Sequence, residues 1–479
     1  MSDFLNSKTI GLFLGPLFFV LFILLPFENL SSEACAVLAC ASWMIVWWIT
    51  EAVSISVTSL IPLILFPLTG VMSVNDVGAN YGSSIVFLFF GGFVLAIGLE
   101  KVNLHRRIAL SIIKKTGTTP KKVILGFMIA TAFMSMWISN TASTVVMLPI
   151  ALSVIHLLIN KEETPNTNQQ NFALSVMLGI AFSANAGGIA TVIGTPPNSV
   201  LIGLLENEYQ IEISFVKWMA IGLPFALVLI AIIYLLLVHW IFPTKDLQFS
   251  TSNNIIDHEL KKLGSISARE KQVLWIFGII VSLWIFRTPI NSVFPWLKLS
   301  DTVISILGAL ALFAIPFNLK KGEFILKWED TQKLSWGILI LFGGGLALAK
   351  GMSSTGIVSL ITNYISDGNF SVFLTASLLI FLMLFMTELM SNVALVAVLA
   401  PVVAGIAIGL EIPILYLLIP VTMASSCAFM LPMATPPNAI VFASGYVKVH
   451  EMARVGIIIN CISVLILIAL FKFGIPLVF

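Results

Sequence analysis

Two short polar runs interrupt otherwise apolar sequence: Ser139-Asn140-Thr141 and, 252 positions later, Ser391-Asn392-Val393. Each is followed downstream by a Thr-Pro-Pro-Asn, at Thr195-Pro196-Pro197-Asn198 and Thr435-Pro436-Pro437-Asn438. Ser and Asn are strong helix N-caps and Pro is favoured at the first helical position, so each of the four should start a helix after a break. A helix N-terminus presents free N–H groups and partial positive charge, which suit an anion. Unwound carbonyls and nearby Ser, Thr and Asn oxygens suit a small hard cation. Ser135, Ser139, Asn140 and the backbone at Gly194 could form one oxygen cage. Thr387, the backbone at Met390, Asn392 and the backbone at Ala434 could form its twin. No Lys or Arg lies within either motif, so a bound anion must be balanced by cations, a physical reason for coupling the two. Na⁺ fits such cages. Proton coupling would want an intramembrane carboxylate or histidine, for which Glu388 is the candidate; its repeat partner is Met136.

The medium around these residues follows from composition. Of 479 residues, 58% are hydrophobic and only 10% charged, with a mean hydropathy of +1.04. That much apolar surface needs lipid as its solvent. The net charge of +2 gives no basis for nucleic acid as a partner. The cysteines Cys35, Cys40, Cys427 and Cys461 lack metal-ligand spacing and read as small packing residues. The five histidines are scattered. The apolar run from Ile10 to Pro26 lacks a small-x-small cleavage site and reads as an uncleaved first helix.

Spanning needs about 20 apolar residues. Candidates are 10–27, 34–50, 53–70, 83–100, 213–243, 272–288, 300–317, 334–350 and 453–478. Four further stretches, 121–159, 172–206, 370–410 and 412–443, contain the polar breaks. Basic residues concentrate in 101–122, 244–271 and 318–333, which the positive-inside rule makes cytoplasmic. The segments 28–33 (Glu28, Glu33), 206–212 (Glu206, Glu208) and 351–369 (Asp367) are acidic and read as external. The segment 104–116 reads as an amphipathic helix on the cytoplasmic surface, with 353–367 as its weaker external counterpart.

The chain is duplicated. An offset of 252 maps Ser139 onto Ser391, Phe90-Gly91-Gly92 onto Phe342-Gly343-Gly344, Ser135 onto Thr387, Ala142 onto Ala394 and Pro149 onto Pro401. The Thr-Pro-Pro-Asn copies lie 240 apart, the shortfall matching the polar loop from Lys161 to Asn171. The flanks of 121–159 are basic and those of 370–410 (Asp367, Glu411) acidic, so the two enter from opposite faces. Segments that enter and leave on one side are re-entrant hairpins, and irregular backbone at their tips must be buried in protein or line a cavity. The expected architecture is an all-α polytopic membrane protein with about eleven transmembrane helices plus two re-entrant hairpins in an inverted repeat. The N-terminus is expected inside and the C-terminus outside.

Taken singly, these features have plainer readings. A Ser-Asn-Thr can be an interhelical hydrogen-bonding motif, and a Pro-Pro only a kink. Gly91-Gly92 and Gly343-Gly344-Gly345 read as close-packing positions, and Glu388 reads equally as a buried structural hydrogen-bonder. Repetition with opposed flanks favours a binding site for the four breaks. An intramembrane enzyme would need a nucleophile–base pair or a metal cluster, and a channel a continuous polar stripe; neither pattern is present. A transporter remains.

The paired Ser-Asn-Thr motifs with their downstream Thr-Pro-Pro-Asn closely resemble the divalent anion/sodium symporter family along nearly the whole chain. That family includes INDY-type bacterial dicarboxylate transporters and mammalian sodium-coupled di- and tricarboxylate and sulfate carriers. The resemblance implies Na⁺-coupled symport of a C4-dicarboxylate such as succinate, malate or fumarate, with citrate or sulfate transport or dicarboxylate exchange as alternatives. It implies a homodimer in a bacterial cytoplasmic membrane, each protomer pairing a scaffold with a transport part that moves as an elevator. Here 1–120 and 244–369 are expected to carry the scaffold helices, the latter with a linker, and 121–243 and 370–479 the transport halves. At least two Na⁺ sites are implied, at Ser135, Ser139, Asn140 and Gly194, and at Thr387, Met390, Asn392 and Ala434. Substrate carboxylates would meet Asn140, Thr141, Ser391 and Asn392, with Thr195 and Thr435 close by. Val393 stands where the family motif commonly has Thr, which removes one hydroxyl facing the substrate.

Overall fold

A computed structural model describes residues 7–25, 30–117, 119–158, 166–244, 252–368 and 370–479. Glu28, Lys161, Lys245 and positions 161–165 of the polar loop lie outside the described residues. The chain begins with α1 (Ser7–Leu24), α2 (Ser32–Thr50), α3 (Ile55–Thr58), α4 (Ile61–Leu68) and α5 (Val74–Tyr81). Next come α6 (Ser84–Lys101), α7 (Leu104–Thr116), α8 (Pro120–Ser135) and α9 (Asn140–Leu158). They lead into α10 (Thr167–Ile189), α11 (Pro196–Tyr209) and α12 (Phe215–Leu235). A middle group holds α13 (Ser252–Lys262), α14 (Ala268–Val293) and α15 (Asp301–Ala314). The last set begins with α16 (Trp336–Ser354), α17 (Ile357–Asp367), α18 (Val372–Met386) and α19 (Asn392–Gly409). It closes with α20 (Ile414–Ser425), α21 (Pro436–Ala443) and α22 (Val449–Ala469). An antiparallel ribbon, Pro316–Asn318 against Glu323–Phe324, is the only sheet among the described residues.

Nine helices among the described residues are long and apolar enough to cross a membrane, and five more apolar helices are shorter. The fold is that of an all-α polytopic membrane protein. The expected span 53–70 is not one helix: it divides into α3 and α4 around Ser59 and Leu60. Pro62 has no N–H to bond the Thr58 carbonyl, so the hydrogen-bond ladder cannot run on across the junction.

The duplication reappears in the helix boundaries. The starts of α6 and α16 (Ser84, Trp336), α8 and α18 (Pro120, Val372), and α9 and α19 (Asn140, Asn392) are each 252 apart. Those of α11 and α21 (Pro196, Pro436) are 240 apart. Contacts between the halves also exchange under this mapping. The α9 helix packs on α21 as α19 packs on α11, and α10 packs on α21 as α20 packs on α11. The most enclosed element is α10, in which every residue from Phe172 to Ile189 is buried. A helix apolar on all sides belongs at the centre of a bundle, and α10 touches α8, α9, α12 and α21 there.

The glycine doublets do pack helices closely. A Cβ on Gly91 would fall 2.1 Å from Ser305 Oγ, and one on Gly344 2.3 Å from the Ser59 carbonyl. The amphipathic α7 occupies the expected 104–116, burying Leu104, Ala109, Leu110 and Ile113. Its basic side chains also bind protein: Arg107 pairs with Glu270, Arg106 with Glu259 and Lys114 with Asp257. Arg107 further donates to the Leu263 and Gly264 carbonyls, tying α7 to α13 and the start of α14.

Candidate functional site

The site is built where helices stop. In the first half α8 ends at Ser135 and α9 begins at Asn140, while α10 ends at Ile189 and α11 begins at Pro196. As their types dictate, Ser139 caps α9 by accepting from the Ala142 N–H at 3.2 Å, and Ser391 caps α19. Pro196 and Pro437 lie in the first turns of α11 and α21, behind the extended backbone of Thr195 and Thr435.

Ser135, Asn140 and Gly194 come together around one point. The Asn140 amide oxygen lies 2.6 Å from Ser135 Oγ and 3.2 Å from the carbonyls of both Ala184 and Gly194. Ser135 Oγ is also 2.7 Å from the Ala184 carbonyl. Its single proton serves only one of these contacts, so the other oxygens face oxygens. Turning the Asn140 amide over would supply Nδ2 as donor to all three. A small cation at the centre would satisfy the cluster with the oxygen as it stands, as hard cations prefer all-oxygen shells. The residues present therefore fit Na⁺.

The second half repeats part of this arrangement. Thr387 Oγ1 lies 2.7 Å from Asn392 Oδ1 and donates to the Ser425 carbonyl at 2.6 Å. Thr387 and Asn392 are the repeat partners of Ser135 and Asn140. Met390 is half-buried at the tip of its break, and Ala434 is buried at the position matching Gly194. Both Gly194 and Ala434 turn back on the chain, their N–H groups donating to the carbonyls of Thr191 and Leu431, also 240 apart. Among the remaining expected residues, Thr141 is exposed, Ser391 and Val393 are half-buried, and Thr195 is buried. Thr435 Oγ1 accepts from Asn185 Nδ2 at 3.0 Å.

Sequence reasoning did not find some contributors and did not assign the roles of others. The carbonyls of Ala184 and Ser425 join the two clusters, but a backbone oxygen has no residue signature. The motif asparagines brace the breaks: Asn198 Nδ2 donates to the Thr191 carbonyl at 2.8 Å, and Asn438 Nδ2 to the Leu431 and Ala428 carbonyls at 3.1 Å. Asn185 joins the halves, its amide reaching the Ala428 carbonyl, Thr435 Oγ1 and Asn438 Oδ1. An Asn deep in the buried stretch of α10 from Phe172 to Ile189 was the available signal. Glu388 is buried and its carboxylate accepts four donors: the N–H groups of Phe429, Met430 and Leu431, and Asn460 Nδ2.

A polytopic helical bundle whose halves each break two helices around a cluster of oxygens has the form of a membrane transporter. A family model described as the sodium:sulfate symporter transmembrane region matches residues 6–479. The chain belongs to that family. It is 39% identical over 478 residues to the sodium-dependent dicarboxylate transporter SdcS of Staphylococcus saprophyticus, covering 98% of this chain and 92% of that protein. It is 40% identical over 488 residues to the protein of that name from Staphylococcus aureus strain USA300, covering 100% and 93%. Two solved structures share the fold at low identity. The YdaH transporter of Alcanivorax borkumensis has a TM-score of 0.53 at 13% identity, covering 84% of this chain and 87% of that one. MtrF of Neisseria gonorrhoeae has a TM-score of 0.50 at 14% identity, covering 85% and 83%.

Proposed function

We propose that this protein is a secondary active transporter that couples Na⁺ entry to uptake of a C4-dicarboxylate such as succinate, malate or fumarate. The observation that carries the reading is the cluster of Asn140, Ser135, Ala184 and Gly194 oxygens, which needs either a turned amide or a cation. The related cluster at Thr387, Asn392 and Ser425 supports a second Na⁺ site, with Met390 and Ala434 as further backbone ligands. Ser139 joins the first. A dicarboxylate would lie between the breaks, held by Asn140, Thr141, Ser391 and Asn392 beside Val393, with Thr195 and Thr435 near. Two bound Na⁺ ions would balance its two charges. The full-length relatives named for dicarboxylate transport favour that substrate over sulfate.

In this reading α8–α9 and α18–α19 are re-entrant hairpins entering from opposite faces, which leaves about eleven spans. The 16 and 15 residues of α8 and α18 rise roughly 24 and 22 Å, less than a bilayer core of about 30 Å. Residues 121–243 and 370–479 form the transport part, supported by the exchanged packing of α9, α10 and α11 with α19, α20 and α21. Residues 1–120 and 244–369 hold the scaffold. Two protomers associate in a bacterial cytoplasmic membrane, N-terminus inside, C-terminus outside, and the transport part moves as an elevator.

The test is uptake of labelled succinate into proteoliposomes under an inward Na⁺ gradient, against a choline control, with malate, citrate and sulfate as competitors. Uptake that requires Na⁺ and is blocked by malate is the expected result. Uptake indifferent to Na⁺ would refute symport, and competition by sulfate alone would refute the substrate.

A further inference from the structure

The two breaks that receive the motif asparagines are held open by different means. In the first half α10 stays helical to Ile189, and the following turn is pinned by Thr191 Oγ1 donating to the Met136 carbonyl. In the second half α20 ends at Ser425, and 427–431 has no helical structure. Met136 and Glu388 are repeat partners, and the difference between the halves follows from that exchange. Glu388 Oε1 accepts from the N–H groups of Phe429 at 2.8 Å and Met430 at 2.9 Å, and Oε2 from that of Leu431 at 3.1 Å. Those three N–H groups would otherwise bond carbonyls four residues earlier and extend α20. Asn460 Nδ2, from α22, binds the same carboxylate at 2.7 Å. A methionine at this position offers no acceptor.

We propose that Glu388 is a positioning residue for cation binding in the second half. Its carboxylate keeps the segment after α20 unwound, so that the Ser425 carbonyl stands free to meet Thr387 beside Asn392. It also stands one residue from Thr387 in the chain. The cation cluster of the first half has no such dependence. The halves therefore differ in their response to loss of one carboxylate, although their ligands correspond. This inference rests on the Na⁺ reading given above.

The test uses the purified full chain in detergent and reads thermal stabilisation against Na⁺ concentration, with choline holding ionic strength constant. Glu388→Gln keeps size and removes charge. It is expected to raise the midpoint for Na⁺ stabilisation about ten-fold, the scale of one lost charged hydrogen bond, and to lower the Hill coefficient towards one. In Ser135→Ala the remaining Na⁺ response reports the second half, and adding Glu388→Gln should move its midpoint up by the same ten-fold or so. Should the Gln variant not fold, Glu388→Asp retains charge but cannot span all three N–H groups, and a smaller rise in the midpoint is expected. An unchanged midpoint with a lower melting temperature in choline would make Glu388 a purely structural clamp and overturn the proposal. Wild-type protein that gains no stability from Na⁺ would overturn the Na⁺ reading and this inference with it. A response in the wild type that is identical in the variants overturns the inference alone.

Discussion

At the scale of single residues, the candidate site rests on two Asn–hydroxyl pairs, Asn140 with Ser135 and Asn392 with Thr387. Each Asn is placed by its helix start and gives an amide oxygen to the cluster. Asn140→Ala and Asn392→Ala should each reduce Na⁺-driven uptake below detection, while size-exclusion chromatography still shows folded protein of unchanged assembly. Full uptake by either variant would remove that residue from the site. The side-chain half of the candidate site was legible in sequence because Ser, Asn and Thr are costly in apolar stretches and were duplicated at one spacing. The backbone half was not. Ala184 and Ser425 contribute carbonyls, and which carbonyls face inward depends on where each helix unwinds. Glu388 was noticed as a charge, but its role depends on three N–H groups some forty residues away in the chain.

At the scale of elements, the starts of the broken helices were legible because capping is local chemistry: Asn140, Asn392, Pro196 and Pro436 begin helices as expected. The lengths of the breaks were not, since tertiary hydrogen bonds set them. The breaks also depend on close approach of backbone to backbone. A Cβ on Gly194 would lie 2.4 Å from the Gly188 carbonyl, and one on Gly188 would lie 2.4 Å from Asn140 Oδ1. Relieving the second clash moves Asn140 Oδ1 itself, and relieving the first moves the backbone of Gly188 or of Gly194, whose carbonyl belongs to the first cluster. Gly188→Ala and Gly194→Ala should therefore each lower the apparent Na⁺ affinity of uptake by about ten-fold or more, near 1.4 kcal/mol. In Gly92→Ala the added methyl would sit 3.4 Å from Ile193 Cγ2, an ordinary contact, and affinity should hold. Unchanged affinity in the first two variants would place the cation elsewhere.

Over the whole molecule, the transport part proposed above could move only if its contacts with the scaffold are few enough to exchange. One set of contacts at the α12 start has the form of a latch. Phe215 stacks on Trp284 of α14 at 4.8 Å and on Trp137, from the break between α8 and α9, at 6.0 Å; Trp137 also meets Phe277 edge-on. The Phe215 N–H donates to Asp301 Oδ2 at 2.8 Å, and Asp301 lies 3.3 Å from Arg287, which also pairs with Glu212. Arg287 and Asp301 have side chains only 11% and 12% exposed, so their pairing is that of largely buried charges. Removing one partner of such a pair strands the other, at roughly 3–5 kcal/mol, whereas removing both can be nearly neutral. Arg287→Ala should thus lower the melting temperature well below wild type, and Arg287→Ala with Asp301→Asn should recover much of the loss. If the latch holds one end state, the double variant, stable but unlatched, should also expose Trp137 to a water-borne indole reagent faster than wild type. Equal melting temperatures for the single and double variants would mean the pair is solvated and holds nothing. Recovered stability with unchanged Trp137 reactivity would leave a structural ion pair that takes no part in the motion.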